Sequence, residues 1–128
     1  MYITKLDHIV LTVKDIHATI LFYTTVLGMK QVSFAENRQA LQFGNQKINL
    51  HQRDNIIEPH AAQPTPGSAD LCLITDIPLE QVIEHVQSCG VAILAGPVPR
   101  SGAINDLVSI YLRDPDGNLI EISNPIGK

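Results

Sequence analysis

The sequence states one pattern twice. Ile9-Val10-Leu11 through Asp15-Ile16 aligns with Leu71-Cys72-Leu73 through Asp76-Ile77, with one residue inserted at Lys14. Further on, Gly44-Asn45 aligns with Gly117-Asn118, and Ile48-Asn49-Leu50 with Ile120-Glu121-Ile122 across a one-residue gap. A repeat constrains the fold strongly, because each copy has to form the same supersecondary unit. The 128 residues have room for one domain built from two copies: module 1 over 1–52 and module 2 over 69–128, with a connector over 53–68.

Periodicity fills in each copy. Residues 6–13 are nearly continuous in apolar, β-branched side chains, a strand with His8 near its start. Asp15 is placed to cap a helix whose apolar residues are Ile16, Ile20, Tyr23 and Leu27, and Gly28 stops it. Three short strands follow, over 30–35, 38–43 and 46–52. The last buries Ile48 and Leu50 and turns Lys47, Asn49 and His51 to the opposite face. The order β-α-β-β-β is unusual for a doubly wound fold, where strand and helix alternate.

Pro59, Pro64, Pro66 and Gly67 break up the connector, and module 2 then repeats the order. A strand over 69–75 leads to a helix begun by Asp76 and Pro78, with Leu79, Val82, Ile83 and Val86 as its buried stripe and Gly90 as its end. A short strand over 91–95 and a loop over 96–102, able to close over a ligand, precede a strand over 106–113. Asp114-Pro115-Asp116-Gly117 supplies the fixed φ and the positive φ that a hairpin needs. In the final strand Ile120 and Ile122 face one way and Leu119, Glu121 and Ser123 the other. A carboxylate in so apolar a strand either meets water or has a partner.

The alignment sets His8 opposite Asp70, Asn49 opposite Glu121, and His51 opposite Ser123. If the halves curl into one open barrel, His8, Asp70, Glu121 and the Asn49/His51 pair face its interior. Imidazole and carboxylate groups meeting in a cavity are ligand types for first-row divalent metals. Taken singly, each has a plainer reading. His8 is then a core-edge histidine bonded to a carbonyl, and His51 a solvated strand-end residue. Asp70 is then a turn acceptor after Gly67-Ser68, or a group orienting His8 or His51. His17, His60 and His85 are read as surface residues, and Cys72 as buried and inert. Arg100 and Tyr111 are candidates to reach a substrate anion or phenol.

Composition narrows the function classes. A net charge of -4 with no Lys/Arg cluster argues against nucleic acid, and no apolar run approaches the roughly 18 residues that span a bilayer. Residues 1–5 contain no apolar export signal, and Cys72 and Cys89 form no C-x-x-C pair. The expectation is a reduced, cytoplasmic protein.

Leu6-Asp7-His8-Ile9-Val10-Leu11-Thr12-Val13-Lys14-Asp15, Phe22-Tyr23, Leu27-Gly28-Met29 and Asp114-Pro115-Asp116-Gly117-Asn118-Leu119-Ile120-Glu121 resemble the vicinal oxygen chelate superfamily. That group includes glyoxalase I, extradiol dioxygenases, fosfomycin-resistance enzymes and bleomycin-binding proteins. The likeness covers essentially the whole chain and is greatest to small glyoxalase domain-containing proteins. It implies an α+β fold of two βαβββ modules forming an open, U-shaped, eight-stranded mixed sheet around a divalent ion, in a homodimer. Carried over, the first-strand ligand is His8 and the last-strand ligand Glu121. Where relatives commonly have His on the fifth strand, this chain has Asp70. Strict register puts the fourth-strand position on Asn49, with His51 on the same face able to supply an imidazole.

The function so implied is a metal-dependent enzyme, a lyase or dioxygenase, in which His8, His51 and Glu121 hold Zn, Ni, Fe(II) or Mn. A small substrate chelates the ion through neighbouring oxygens, Asp70 or Glu121 moves a proton, and Asn49, Arg100 and Tyr111 contact the substrate. The rival is a metal-free drug-binding protein of the bleomycin-resistance type, because fold does not fix function.

Overall fold

The computed structural model describes residues 1–127. The elements run β1 (His8–Val13), α1 (Ile16–Thr25), β2 (Lys30–Phe34), β3 (Arg38–Phe43), β4 (Gln46–Gln52), β5 (Asp70–Ile74), α2 (Leu79–Ser88), β6 (Ala95–Ser101), β7 (Asp106–Arg113) and β8 (Leu119–Gly127). The fold is α+β, with two mixed four-stranded sheets of order β1-β4-β3-β2 and β5-β8-β7-β6. Two compact units result, Met1–Gly67 and Ser68–Lys128.

In the first unit β1 runs parallel to β4, and β4-β3-β2 form an antiparallel meander. Alternation sends Leu11, Val13, Leu41, Ile48 and Leu50 to one face, where each is at least nine-tenths buried. Helix α1 packs against β2, β3 and β4 and contributes Tyr23, which is wholly buried. Asp15 caps the helix as its position demands, its carboxylate accepting from the His17 and Ala18 amides at 3.0 and 3.3 Å. Such a cap contributes about 1 kcal/mol. The other sheet face carries His8, Val10 and Thr12 beside Lys47, Asn49 and His51, their partners in the parallel ladder.

The second unit repeats this plan in register. Cys72 pairs with Glu121 as Val10 pairs with Asn49, and Ile74 with Ser123 as Thr12 with His51. Ile110, Leu112, Ile120 and Ile122 fill the core face, with Leu79 and Val86 of α2 buried as well. The 114–118 turn is fixed by its own side chains. Asp114 accepts from the Asp116 and Asn118 amides at 2.9 Å and from the Asn118 side chain at 2.8 Å, while Gly117 takes φ 88°.

Each unit also ties the start of its helix to the end of its fourth strand through one amide side chain. In the first, Gln52 Oε1 accepts from the Ile16 amide at 2.9 Å and Gln52 Nε2 donates to the Lys14 carbonyl. In the second, Asn124 Oδ1 accepts from the Leu79 amide at 2.8 Å, and Nδ2 donates to the Thr75 and Ile77 carbonyls at 2.9 Å. Helix α2 begins after Pro78, which offers no side-chain cap of its own, so Asn124 takes that role from a distant strand.

One stretch departs from the sequence reading. The expected strand over 91–95 and loop over 96–102 are replaced by β6 over Ala95–Ser101, paired with β7 alone. Two prolines hide this strand from alternation. An edge strand tolerates them because one of its sides needs no amide donors.

Candidate functional site

On the polar face of the first unit His8 is exposed, and its Nδ1 lies 2.9 Å from Asp7 Oδ1. That hydrogen bond holds the Asp7 carboxyl below its ordinary pKa. An ionised Asp7 accepts, so Nδ1 carries a proton, and a carboxylate bonded to one ring nitrogen is the arrangement that orients the other toward a ligand. The sequence reading had missed Asp7. Its signal was there, an acid directly before the histidine.

Further along the same face Asn49 and His51 are buried, 5% and 4% exposed. His51 is therefore not a solvated strand-end residue. Both His51 ring nitrogens and Asn49 Oδ1 lack any hydrogen-bond partner among the described residues. Burial lowers the His51 pKa, and the Arg38 and His60 charges lower it further. The imidazole is held neutral, with one nitrogen a donor and the other an acceptor.

On the polar face of the second unit Asp70, Cys72 and Ile74 of β5 lie beside Glu121 and Ser123 of β8, and Tyr111 of β7 is the register partner of Glu121. A cavity of about 460 Å³ opens here, its wall including Cys72, Ile74, Arg100, Ile104, Leu107 and Glu121. Glu121 is half-buried, beside the Cys72 thiol and with a long contact from Ser123 Oγ at 3.5 Å, and no Lys, Arg or His nitrogen lies within 4.0 Å of it among the described residues. Arg100 donates from Nε to Tyr111 Oη at 2.8 Å. Cys72 is exposed rather than buried, because β5 is an edge strand and its polar face is uncovered at this position. Partial desolvation still pushes its thiol pKa up.

The ladders show which groups share a station. Asp70 and Glu121 are one same-face step apart on neighbouring strands, roughly 8 Å between Cα atoms, within reach of a common partner. His8 and Asn49 stand in the same relation. His8 and His51 do not. Four residues of register separate them, about 13 Å along the strands, too far for one ion with nitrogen bonds of about 2.1 Å. In the first unit the register sets Asn49, rather than His51, one step from His8. Among the described residues no three His, Cys, Asp or Glu side chains are clustered for a metal ion. Nor does any helix among them have the length and apolarity to cross a membrane.

Paired βαβββ units with acid and imidazole groups on their polar faces define a glyoxalase-type fold. Residues 5–122 match the profile of the Glyoxalase/Bleomycin resistance protein/Dioxygenase superfamily, and the chain belongs to that family. It is 57% identical over 123 residues to virulence protein STM3117 of Salmonella typhimurium, covering 96% of this chain and 85% of that one. The crystal structure of STM3117 superposes with a TM-score of 0.97 at 56% identity, covering 98% of this chain and all of the other. Glyoxalase domain-containing protein RDO1 of Mycosarcoma maydis is 48% identical, covering 95% and 69%. Metallothiol transferase FosB of Staphylococcus epidermidis is 31% identical, covering 95% and 82%. The superfamily includes metal-dependent enzymes and drug-binding proteins.

Proposed function

We propose that this protein is a divalent-metal-dependent enzyme of the glyoxalase/dioxygenase type, acting on a small substrate with two neighbouring oxygens. The observation that carries the reading is Glu121, a half-buried carboxylate in a cavity wall with no basic partner among the described residues. A carboxylate so placed offers its oxygens to a cation. His8, oriented by Asp7 through Nδ1, is the second ligand. The donor set is oxygen and nitrogen, which suits Zn, Ni, Fe(II) or Mn. The likeness to a protein named a metallothiol transferase agrees with metal use.

A bound ion supplies Lewis acidity to substrate oxygens. The chain's own groups do the rest. Asp70, one step from Glu121, takes a proton at its carboxylate oxygen, or Glu121 does so itself. Asn49 and neutral His51 offer an amide oxygen and a donor–acceptor imidazole, both already stripped of water, to a substrate's polar groups. The active form we propose is a homodimer. Supporting it, β1 and β5 are edge strands in their sheets, and Val10 and Ile74 on them are 44% and 54% exposed.

Elemental analysis of protein purified without chelator or affinity-tag metal tests the reading. About one transition metal per chain is expected, lost in both H8A and E121Q with the far-UV spectrum unchanged. Protein that is metal-free as isolated, takes up no added Zn, Ni, Fe(II) or Mn, and binds small molecules equally well in EDTA would instead be a drug-binding module.

A further inference from the structure

We infer that the cavity beside Glu121 seats a small organic acid, its oxyanion head held by Arg100 and Tyr111 and its compact apolar body lying on Ile74, Ile104 and Leu107. This names a substrate class for the site proposed above and rests on that reading, although the anion contact itself needs no metal.

The guanidinium is already in place. Arg100 Nε donates to Tyr111 Oη at 2.8 Å, Nη1 donates to the Pro99 carbonyl at 2.9 Å, and the group lies 5.4 Å from the centre of the Tyr111 ring. These bonds use two of its five N–H groups, so both protons of Nη2 are unspent. No carboxylate of the described residues lies within 4.0 Å of it. An arginine fixed by three contacts, at a cavity wall and without a counter-anion, is prepared for an anion from outside, with little rotamer freedom left to lose.

Tyr111 completes the fork. Its oxygen accepts from Arg100, so its own proton is directed elsewhere and available to donate. An oxyanion between the two receives an N–H from Nη2 and the phenolic O–H, a charge-assisted pair. Tyr111 is the cross-strand partner of Glu121, and Arg100, whose own register partner is Leu107, reaches back along β7 to Tyr111 with its side chain. In the metal-free protein an acid entering the cavity is repelled by the Glu121 carboxylate and drawn to the Arg100 guanidinium, which sets its direction. Ile74 is 54% exposed and Ile104 87%, both bordering the cavity. A volume of about 460 Å³ lies within the range of small-molecule sites.

Calorimetry with hexanoate, hexylphosphonate and neutral hexanamide tests this, first on EDTA-treated, dialysed protein and then on protein loaded with Zn. At least one of the two anions should bind about tenfold or more tightly than hexanamide, and whichever is tighter identifies the head group. R100Q should abolish that preference while leaving hexanamide unchanged, and Y111F should weaken the anion severalfold while keeping the ring. R100Q is checked by its far-UV spectrum and melting curve, and R100K serves as a second variant that keeps the charge but loses the fork. Anion and amide binding alike in both metal states, no probe binding in either state, or R100Q binding the anion as the parent does, would overturn the inference. Metal content is read on the same samples. A failed metal reading thus appears as empty protein that still prefers anions, and a failed anion site as loaded protein that does not.

Discussion

Replacing His51 with Leu should stabilise the metal-free protein while damaging its function. His51 is 4% exposed, and neither ring nitrogen has a hydrogen-bond partner among the described residues. An unsatisfied buried polar group costs about 1–3 kcal/mol. Leu is apolar and similar in bulk, so the expected gain is about 1–2 kcal/mol, the lower part of that range because neighbours relax around a histidine. For 128 residues the unfolding entropy at the midpoint is roughly 0.27 kcal/mol/K, so this gain raises Tm by about 4–7 °C. The effect also depends on pH. Burial lowers the folded-state pKa of His51, so below its ordinary value of 6.5 the unfolded chain binds the proton more readily than the folded one. The parent is therefore fully stable above that value and loses stability as the pH falls through it. H51L lacks this contribution, and its advantage should widen from pH 8 to pH 5.5. Urea denaturation at both values, with H17L as an exposed control expected to move by less than about 0.5 kcal/mol, measures this. A destabilised H51L at pH 8, or an advantage that shrinks on acidification, would show that His51 is satisfied and the reasoning wrong.

Three further outcomes follow from the same geometry. D7A removes the group that orients His8, so metal affinity by competition titration should fall about 10–100-fold, with Tm nearly unchanged because Asp7 is exposed. N118A should cost about 2–4 kcal/mol in urea. Asn118 is 1% exposed, donates to Asp114 and accepts from the Ala69 amide at 2.8 Å, so the turn and the start of β5 loosen together. G96A should cost about 3 kcal/mol or more, or give insoluble protein. The position has φ 99°, and a Cβ there would meet Ser109 O and come within 2.9 Å of Ile110 Cα. A G96A protein with the parent's Tm would refute the close approach of β6 to β7.

Much of the fold was legible because its signals are local. The 114–118 turn carries its own acceptors, the α1 cap sits at Asp15, and alternation separates Ile48 and Leu50 from Asn49 and His51. The repeat added register, a non-local quantity, since equal patterns imply equal pairings. What escaped depends on neighbours distant in sequence. Strand β6 is made by β7 rather than by its own Gly-Pro-Val-Pro, and the cap of α2 comes from Asn124, 45 residues away. His51 was placed on the correct face, but its burial comes from tertiary packing, which a strand pattern does not encode. The ligand roles of His8 and Glu121 come from the family resemblance, carried onto the first and last strands, and stand here as a proposal.

The amide tethers of Gln52 and Asn124 have a mechanical consequence. Each directly follows a polar-face residue of its strand, His51 or Ser123, and grips the helix on the far side of the sheet. Sliding that strand along its axis would unseat a helix terminus, so thermal drift of His51 or Glu121 along the strand is resisted by the packing of a whole helix. In deuterium exchange the Ile16 and Leu79 amides, which first-turn positions ordinarily leave open, should be retained about as long as those of the neighbouring strands.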